Sequence, residues 1–400
     1  MRFLFLLALA AASLAAQSLV LQNVNVIDGV SGTPRPGVNV TIRAGRIVAI
    51  APAASLPGAR VLDLKGKWVL PGLIDAHVHI AQVEAARAAL ESGVTTVRSL
   101  GVSNFIDVTL RDLHRGGEAT LPEVLASGYH VRPQPAPDIF RDFPILRDLS
   151  SGVSGPDNVA RVVRAMLSRN VDVIKILATE RAGTPDTDPR RQTFSEAELS
   201  AAVAAAKAAK VPVAAHAHGR EGGAAAVRAG VHSIEHGTWL DEDTLRRMKR
   251  QGTFLVPTIA TVVDLIEPGG DYDHPALAER GREMLPALQA TVRKARDLGL
   301  KLVAGTDTSY GARSVRRMPD EIAELKNLGL PPIEAIRAAT VHAAECLGIS
   351  ERTGSIKPGR EADLLVVEGN PLENLGALRR PLLVINNGQI VVNRSGSKQR

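Results

Sequence analysis

Aromatic residues are scarce in this chain of 400 residues: they make up 3% of positions, against 45% hydrophobic residues in all. The core must therefore be aliphatic, which suits a large α/β domain with a small satellite. The single cysteine, Cys346, excludes an internal disulfide, so stability rests on packing. It falls in a helical pattern and reads as a small core residue. Dense basic runs are missing too. The formal charge of +6 is spread along the chain, with short pairs such as Arg246-Arg247 and Arg316-Arg317 and no interleaved aromatics to stack on bases. That pattern predicts a solvated basic surface and no nucleic-acid partner. The longest apolar run, Phe3 to Ala12, is too short to span a bilayer. Preceded by Arg2 and followed by Ser13-Leu14-Ala15-Ala16, it reads as a secretory signal over residues 1–16. The expectation is a secreted or periplasmic protein with no membrane insertion after cleavage.

What the chain does contain is β-rich at both ends and alternating in the middle. Val20–Ile27, Val38–Ile42 and Arg46–Ile50 near the start, and Asp363–Val367, Leu382–Asn386 and Gln389–Val392 near the end, are short strands separated by turn residues. Asn387-Gly388 is a two-residue hairpin signal. Residues 17–70 and 350–395 are expected to form one composite β-sandwich, with 396–400 as a flexible tail. Between them, strands are predicted near 73–79, 94–100, 123–129, 171–178, 211–216, 231–236, 253–258 and 301–306, with helical patterns between. The clearest helix runs from Ser195 to Lys210, with Ser195 as N-cap and Glu198 at the third helical position. Eight such units over 71–349 predict a (β/α)8 TIM barrel, whose active site lies at the C-terminal ends of the strands; an open doubly wound sheet is the alternative. The Pro-, Asp- and Arg-rich stretch from Val131 to Gly155 reads as a long loop.

The stretch Leu73-Ile74-Asp75-Ala76-His77-Val78-His79 organises the rest. Strand alternation puts Asp75, His77 and His79 on one face, and two imidazoles spaced this way are a natural start to a metal site. A pair of core histidines is the other reading. Other strand ends carry Lys175 in an apolar run, His216 and His218, Glu235-His236, and Asp307. A buried ammonium needs a partner or a chemical modification; a salt bridge to Asp172 or to a neighbouring strand would serve. Five histidines, a lysine and an aspartate at one end of five strands argue for a metal centre open to substrate.

As an ordered set these motifs resemble the amidohydrolase superfamily. They are Pro71-Gly72-Leu73-Ile74-Asp75-Ala76-His77-Val78-His79, Ile174-Lys175-Ile176, His216-Ala217-His218-Gly219, Ser233-Ile234-Glu235-His236-Gly237, Gly305-Thr306-Asp307 and the tail through Gly359-Arg360-Glu361-Ala362-Asp363. The branch is the one holding imidazolonepropionase-related proteins and zinc-dependent Xaa-Pro dipeptidases. The resemblance implies two divalent cations, normally zinc. His77, His79 and Asp307 would hold one and His216 and His236 the other, bridged by Lys175 as N6-carboxylysine. Two cations would acidify a bridging water, and Asp307 would take its proton and pass it to the leaving amine. His218 is then a supporting or substrate contact, or a core residue.

The chain departs from that branch after the second strand (Arg98-Ser99-Leu100-Gly101), after Lys175 (Ala178-Thr179-Glu180-Arg181) and after the third strand (Gly128-Tyr129-His130-Val131-Arg132), so its substrate pocket is expected to differ. Tyr129, His130, Arg132, Arg181 and Arg313 are the candidate contacts for a substrate carboxylate. The first expectation is a metal-dependent hydrolase of amide or peptide bonds, such as an Xaa-Pro dipeptidase, acting on a small dipeptide or amide; a homo-oligomer is compatible. A cyclic-amide hydrolase resembling imidazolonepropionase is the second, which Lys175 opposes. A non-catalytic binding protein is the third.

Overall fold

Both ends of the chain contribute to one mixed sheet in the computed structural model, which describes residues 18–395. The expected signal segment and the tail 396–400 lie outside the described residues. The first part of the chain supplies β1 (Ser18–Val26), β2 (Arg35–Arg43), β3 (Arg46–Ala51), β4 (Arg60–Asp63) and β5 (Trp68–Pro71). The middle carries β6 (Leu73–Val78), β7 (Val94–Ser99), β8 (Glu123–Ala126), β9 (Ile174–Leu177), β10 (Val213–Ala217), β11 (Ser233–His236) and β12 (Phe254–Val256). The last part adds β13 (Leu364–Val367), β14 (Leu383–Asn386) and β15 (Gln389–Asn393).

The terminal sheet runs β15-β14-β13-β5-β1-β2-β3, with β4 beside β1. β13 pairs antiparallel with β5, Leu364 opposite Pro71, and this joins the two chain ends. Asn387 and Gly388 both have positive φ, 49° and 75°, the pattern of a type I′ hairpin turn. Leu21, Val40, Ile42, Val69, Leu364, Val366 and Ile385, from five strands, share one apolar cluster. β4 and β5 escaped the sequence reading because each is four residues long and too short for alternation to register.

In the middle, β6-β7-β8 and β12-β11-β10-β9 form two parallel sheets, and every residue in them is buried. Burial on both faces is what helix-covered parallel strands require. The predicted eighth strand, 301–306, is not a regular strand. Leu302 makes a single parallel bridge to Leu255. Val303 N–H donates to Leu255 O, while Ala304 O and Thr308 O accept from Ala76 and His79 N–H. The segment thus bonds to β12 on one side and β6 on the other, and the positive φ of Asp307, 54°, ends its extended run. On the opposite side Val131 bridges to Ile176.

The helix predicted from Ser195 is present as Glu196–Ala208, with the Ser195/Glu198 capping box formed. The stretch 131–155 is less loop-like than expected. It holds a helical turn, Ile139–Asp142, and a 3₁₀ helix, Pro144–Leu149, because Ile139, Leu146 and Leu149 are buried in the main core.

Candidate active site

The C-terminal ends of β6, β9, β10 and β11 and the segment after Ala304 converge on one cavity. His77, His79, His130, Lys175, Arg181, His216, His218, His236, Tyr272 and Asp307 line it, and Thr261, Val262 and Leu265 form an apolar wall. The cavity measures ≈ 30 Å³, room for on the order of one water.

Asp307 is the hub. Its Oδ1 is 2.9 Å from His79 Nε2 and 3.4 Å from His77 Nε2, and its Oδ2 is 4.0 Å from His236 Nδ1. Burial would raise its pKa, but His77, His79 and Lys175 hold it far below the carboxylate range. Lys175 Nζ lies 3.3 Å from His77 Nε2. Burial pulls the lysine down to about 8 against the pull of Glu235 and Asp307. The alternative partner, Asp172, is taken: Arg111 and Arg115 donate to it at 2.9 and 3.0 Å.

The fully buried histidines are held neutral. Burial, reinforced by neighbouring cations, lowers His77 to about 4 and His216 and His236 well below the ordinary imidazole value. Burial also lowers His218 to about 3. Each has one ring nitrogen held. His77 Nδ1 is 2.9 Å from Glu235 Oε2, and His79 Nδ1 is 3.1 Å from Gly101 O. His216 Nε2 is 3.1 Å from Glu180 O, His218 Nδ1 is 2.8 Å from Thr238 Oγ1, and His236 Nδ1 is 2.7 Å from Thr258 Oγ1. Outer partners of this kind orient metal-binding imidazoles. Two donor groups fit a cation, His77/His236/Asp307 and His216/His218/His236, each with its ligand atoms within 4.8 Å of one another. Neutral imidazole with carboxylate is the donor set zinc takes, so the residues present fit the group.

Sequence reasoning passed over several participants. Glu235 is fully buried and accepts from Arg98 at 2.8 Å and from Ser233 Oγ at 2.6 Å. Burial would raise its pKa, yet Arg98 and His77 bring it to about 2. Both charged residues interrupt apolar strand runs, which was the available signal. Thr238, Thr258 and Tyr272 gave none, since they belong to the site only through folding. Asp75 does not share the cavity with the two histidines. The β6/β7 register shifts between Asp75 and Val78, and its carboxylate instead accepts from Thr306 N–H, Thr306 Oγ1 and Tyr310 Oη.

The candidate substrate contacts divide. His130 and Arg181 line the cavity. Tyr129 does not: its hydroxyl donates to Asp142 at 2.6 Å and its ring packs edge-on against Phe105. Arg132 is outside the lining. Arg313 is exposed and borders a shallow neighbouring cleft with His79, Asp271 and Ser309.

A parallel-strand scaffold with imidazoles, a lysine and an aspartate gathered at its C-terminal strand ends defines a class, and comparison with known proteins agrees: residues 68–391 match the amidohydrolase family, to which this chain belongs. It is 32% identical to the ochratoxinase of Aspergillus niger over 235 residues, 58% of this chain and 48% of that protein, so the match spans about half the length of that curated relative. Among solved structures, an Xaa-Pro dipeptidase with methionine bound in its active site superposes with a TM-score of 0.83 at 29% identity, covering 93% of this chain and 99% of the other. A prolidase complexed with N-methylphosphonate-L-proline gives 0.81 at 28% identity, covering 94% and 100%. These fold neighbours are of the TIM-barrel type.

Proposed function

We propose that this protein is a metal-dependent hydrolase of C–N bonds that cleaves small amides or dipeptides, Xaa-Pro dipeptides among them. The observation that carries the reading is the pair of three-donor groups joined through His236, with Lys175 beside them. His77, His79 and Asp307 would hold one divalent cation, most simply zinc, and His216 and His236 the other, with Lys175 as the carboxylated bridge. Cations held there acidify water and polarise the scissile carbonyl.

The chain's own groups do the rest. Glu235 fixes the His77 ring with Nε2 toward the cavity. Asp307, kept ionised by its imidazole neighbours, accepts a proton at Oδ and returns it to the departing amine nitrogen. Arg181 and His130 suit a substrate carboxylate, while Val262 and Leu265 suit an apolar side chain. At ≈ 30 Å³ the cavity excludes bulk water but not the need to widen for a dipeptide. For the fold, we infer that the segments 127–131 and 301–308 complete an eight-position barrel, and that the terminal sheet folds over its apolar cluster as a sandwich.

The test is elemental analysis of protein produced with added zinc and bicarbonate, followed by a panel of dipeptides and N-acyl amino acids. Near two metals per chain with turnover of dipeptides is the expected result. No tightly held metal would remove the reading. Separate His216→Asn and His218→Asn variants decide which imidazole is the ligand: the first is expected to lose a metal and the second to keep both.

A further inference from the structure

We infer that Arg280 is a positioning residue: its guanidinium fixes the main chain of the turn 181–187 and so holds Arg181 at the wall of the active-site cavity. The inference rests on the reading of Arg181 as the contact for a substrate carboxylate.

Between β9 and the Glu196–Ala208 helix the chain runs along the cavity as a loop, and its strand-like pairing is confined to an isolated bridge, Thr179 to Gln192. Its turn presents carbonyls that no strand or helix satisfies. Arg280, half-buried on the long Pro275–Asp297 helix, collects four of them. Nη1 donates to Ala182 O and Thr184 O at 2.5 and 2.7 Å, and Nη2 donates to Pro185 O and Thr187 O at 2.9 and 2.5 Å. A planar guanidinium with a fixed fork of donors can serve four carbonyls at once, whereas an ammonium has three donors around one point.

The turn is pinned from other directions as well. The Thr187 hydroxyl reaches Arg181 O at 2.5 Å. Tyr272, which precedes the same long helix, lies so close to Gly183 that a Cβ there would sit 2.4 Å from its ring. Below, a Cβ on Gly219 would sit 2.3 Å from Arg190 O, so the returning arm of the loop runs directly over the end of β10. Arg190 in turn bonds Glu283 on the long helix at 2.5 Å and lies 4.1 Å over the Trp239 ring.

The turn is therefore gripped between the barrel strands and the long helix, and Arg280 makes the largest share of the bonds. Arg181 starts the gripped segment. Its charge reaches Lys175, His130, His216 and Tyr272 inside the cavity. Released carbonyls would turn to water, and the side chain of Arg181 would move with them.

The test uses zinc-loaded protein and two small probes that it cannot hydrolyse, L-proline and L-prolinol, which differ in the carboxylate. Calorimetric titration of the parent is expected to favour L-proline by roughly ten-fold or more, the worth of a charge-assisted hydrogen bond. Arg181→Ala should abolish that preference. Arg280→Ala should bring it to within about two-fold while the zinc content stays at the parent's value, with hydrogen exchange accelerated over 181–188 and not elsewhere; Arg280→Lys should fall between. A parent that shows no preference would overturn the carboxylate reading itself. A parent preference that survives in Arg280→Ala, or exchange over 181–188 that does not change, would overturn the role of Arg280 and leave that reading standing.

Discussion

Glu235 Oε2 lies 2.9 Å from His77 Nδ1 while the other oxygen of the same carboxylate accepts from Arg98 at 2.8 Å. One buried acid thus holds a candidate metal-ligating imidazole and a buried guanidinium together. Removing one partner of such a pair strands the other charge, at a cost of about 3–5 kcal/mol. Glu235→Gln is expected to lower thermal stability by that order and zinc affinity by roughly 10–100-fold. Adding Arg98→Met should restore much of the stability and none of the affinity. Thermal unfolding and zinc competition against a chelator read the two effects separately; a double variant that regained zinc affinity would show that Glu235 does not act on His77.

Lys175 gives a pH prediction. Carbon dioxide adds to a neutral amine, and burial lowers this lysine to about 8. The neutral fraction therefore rises steeply from pH 6 to 8 and levels above it. In metal-free protein given ¹³C-labelled carbon dioxide, the carbamate signal is expected to grow at a rate that climbs about ten-fold per pH unit up to pH 7 and then flattens. Lys175→Ala should show no signal and hold about one metal or fewer. A rate still climbing ten-fold per unit above pH 9 would mean an ordinary lysine.

The cavity was legible in the sequence because its chemistry sits on strands. His77, His79, His216 and His236 lie at or just past the ends of apolar strand runs, Lys175 interrupts another, and Asp307 follows the extended segment that replaces an eighth strand; that ordering is what a barrel pattern offers a reader of sequence. What was illegible depends on tertiary approach. Tyr129 sits beside His130 in sequence, yet its hydroxyl turns to Asp142. Tyr272 lies between two helices, far from any motif, and lines the cavity with its ring packed against Gly183. Asp75 alternates with the two histidines in sequence, yet its carboxylate is taken up by Thr306 and Tyr310. The eighth strand failed as a regular element because its carbonyls and amides are shared one by one between β12 and β6.

Glu321 offers a stability test away from the candidate metal centre. Fully buried, it accepts from Ala260 N–H at 2.7 Å, at the start of the Ile259–Ile266 helix that walls the cavity. Burial raises it from 4.5 to about 8, against the pull of that backbone bond. The folded chain therefore holds a proton that the unfolded chain has released between pH 4.5 and 8. Its stabilising contribution is complete below pH 4.5 and is lost as pH rises through 8, at on the order of 1 kcal/mol per pH unit. Glu321→Gln removes the proton exchange. Denaturant titrations at pH 5 and pH 8 are expected to show the variant gaining on the parent with pH, and parallel curves would place the carboxylate in water.

Asp307→Asn separates binding from proton transfer. Asparagine keeps an oxygen where Oδ1 faces His79 and His77, but it cannot take up a proton. Turnover should fall by about 10²–10⁴-fold, the range for loss of a general base, while metal content falls far less. The pH profile adds a second readout. The Asp307 carboxylate is held ionised by His77, His79 and Lys175, so the parent's acid limb should not reflect an ordinary carboxylate near 4. A variant with parental turnover would assign the proton transfer to another group, and a variant that lost its metal altogether would make Asp307 a ligand first and a base second.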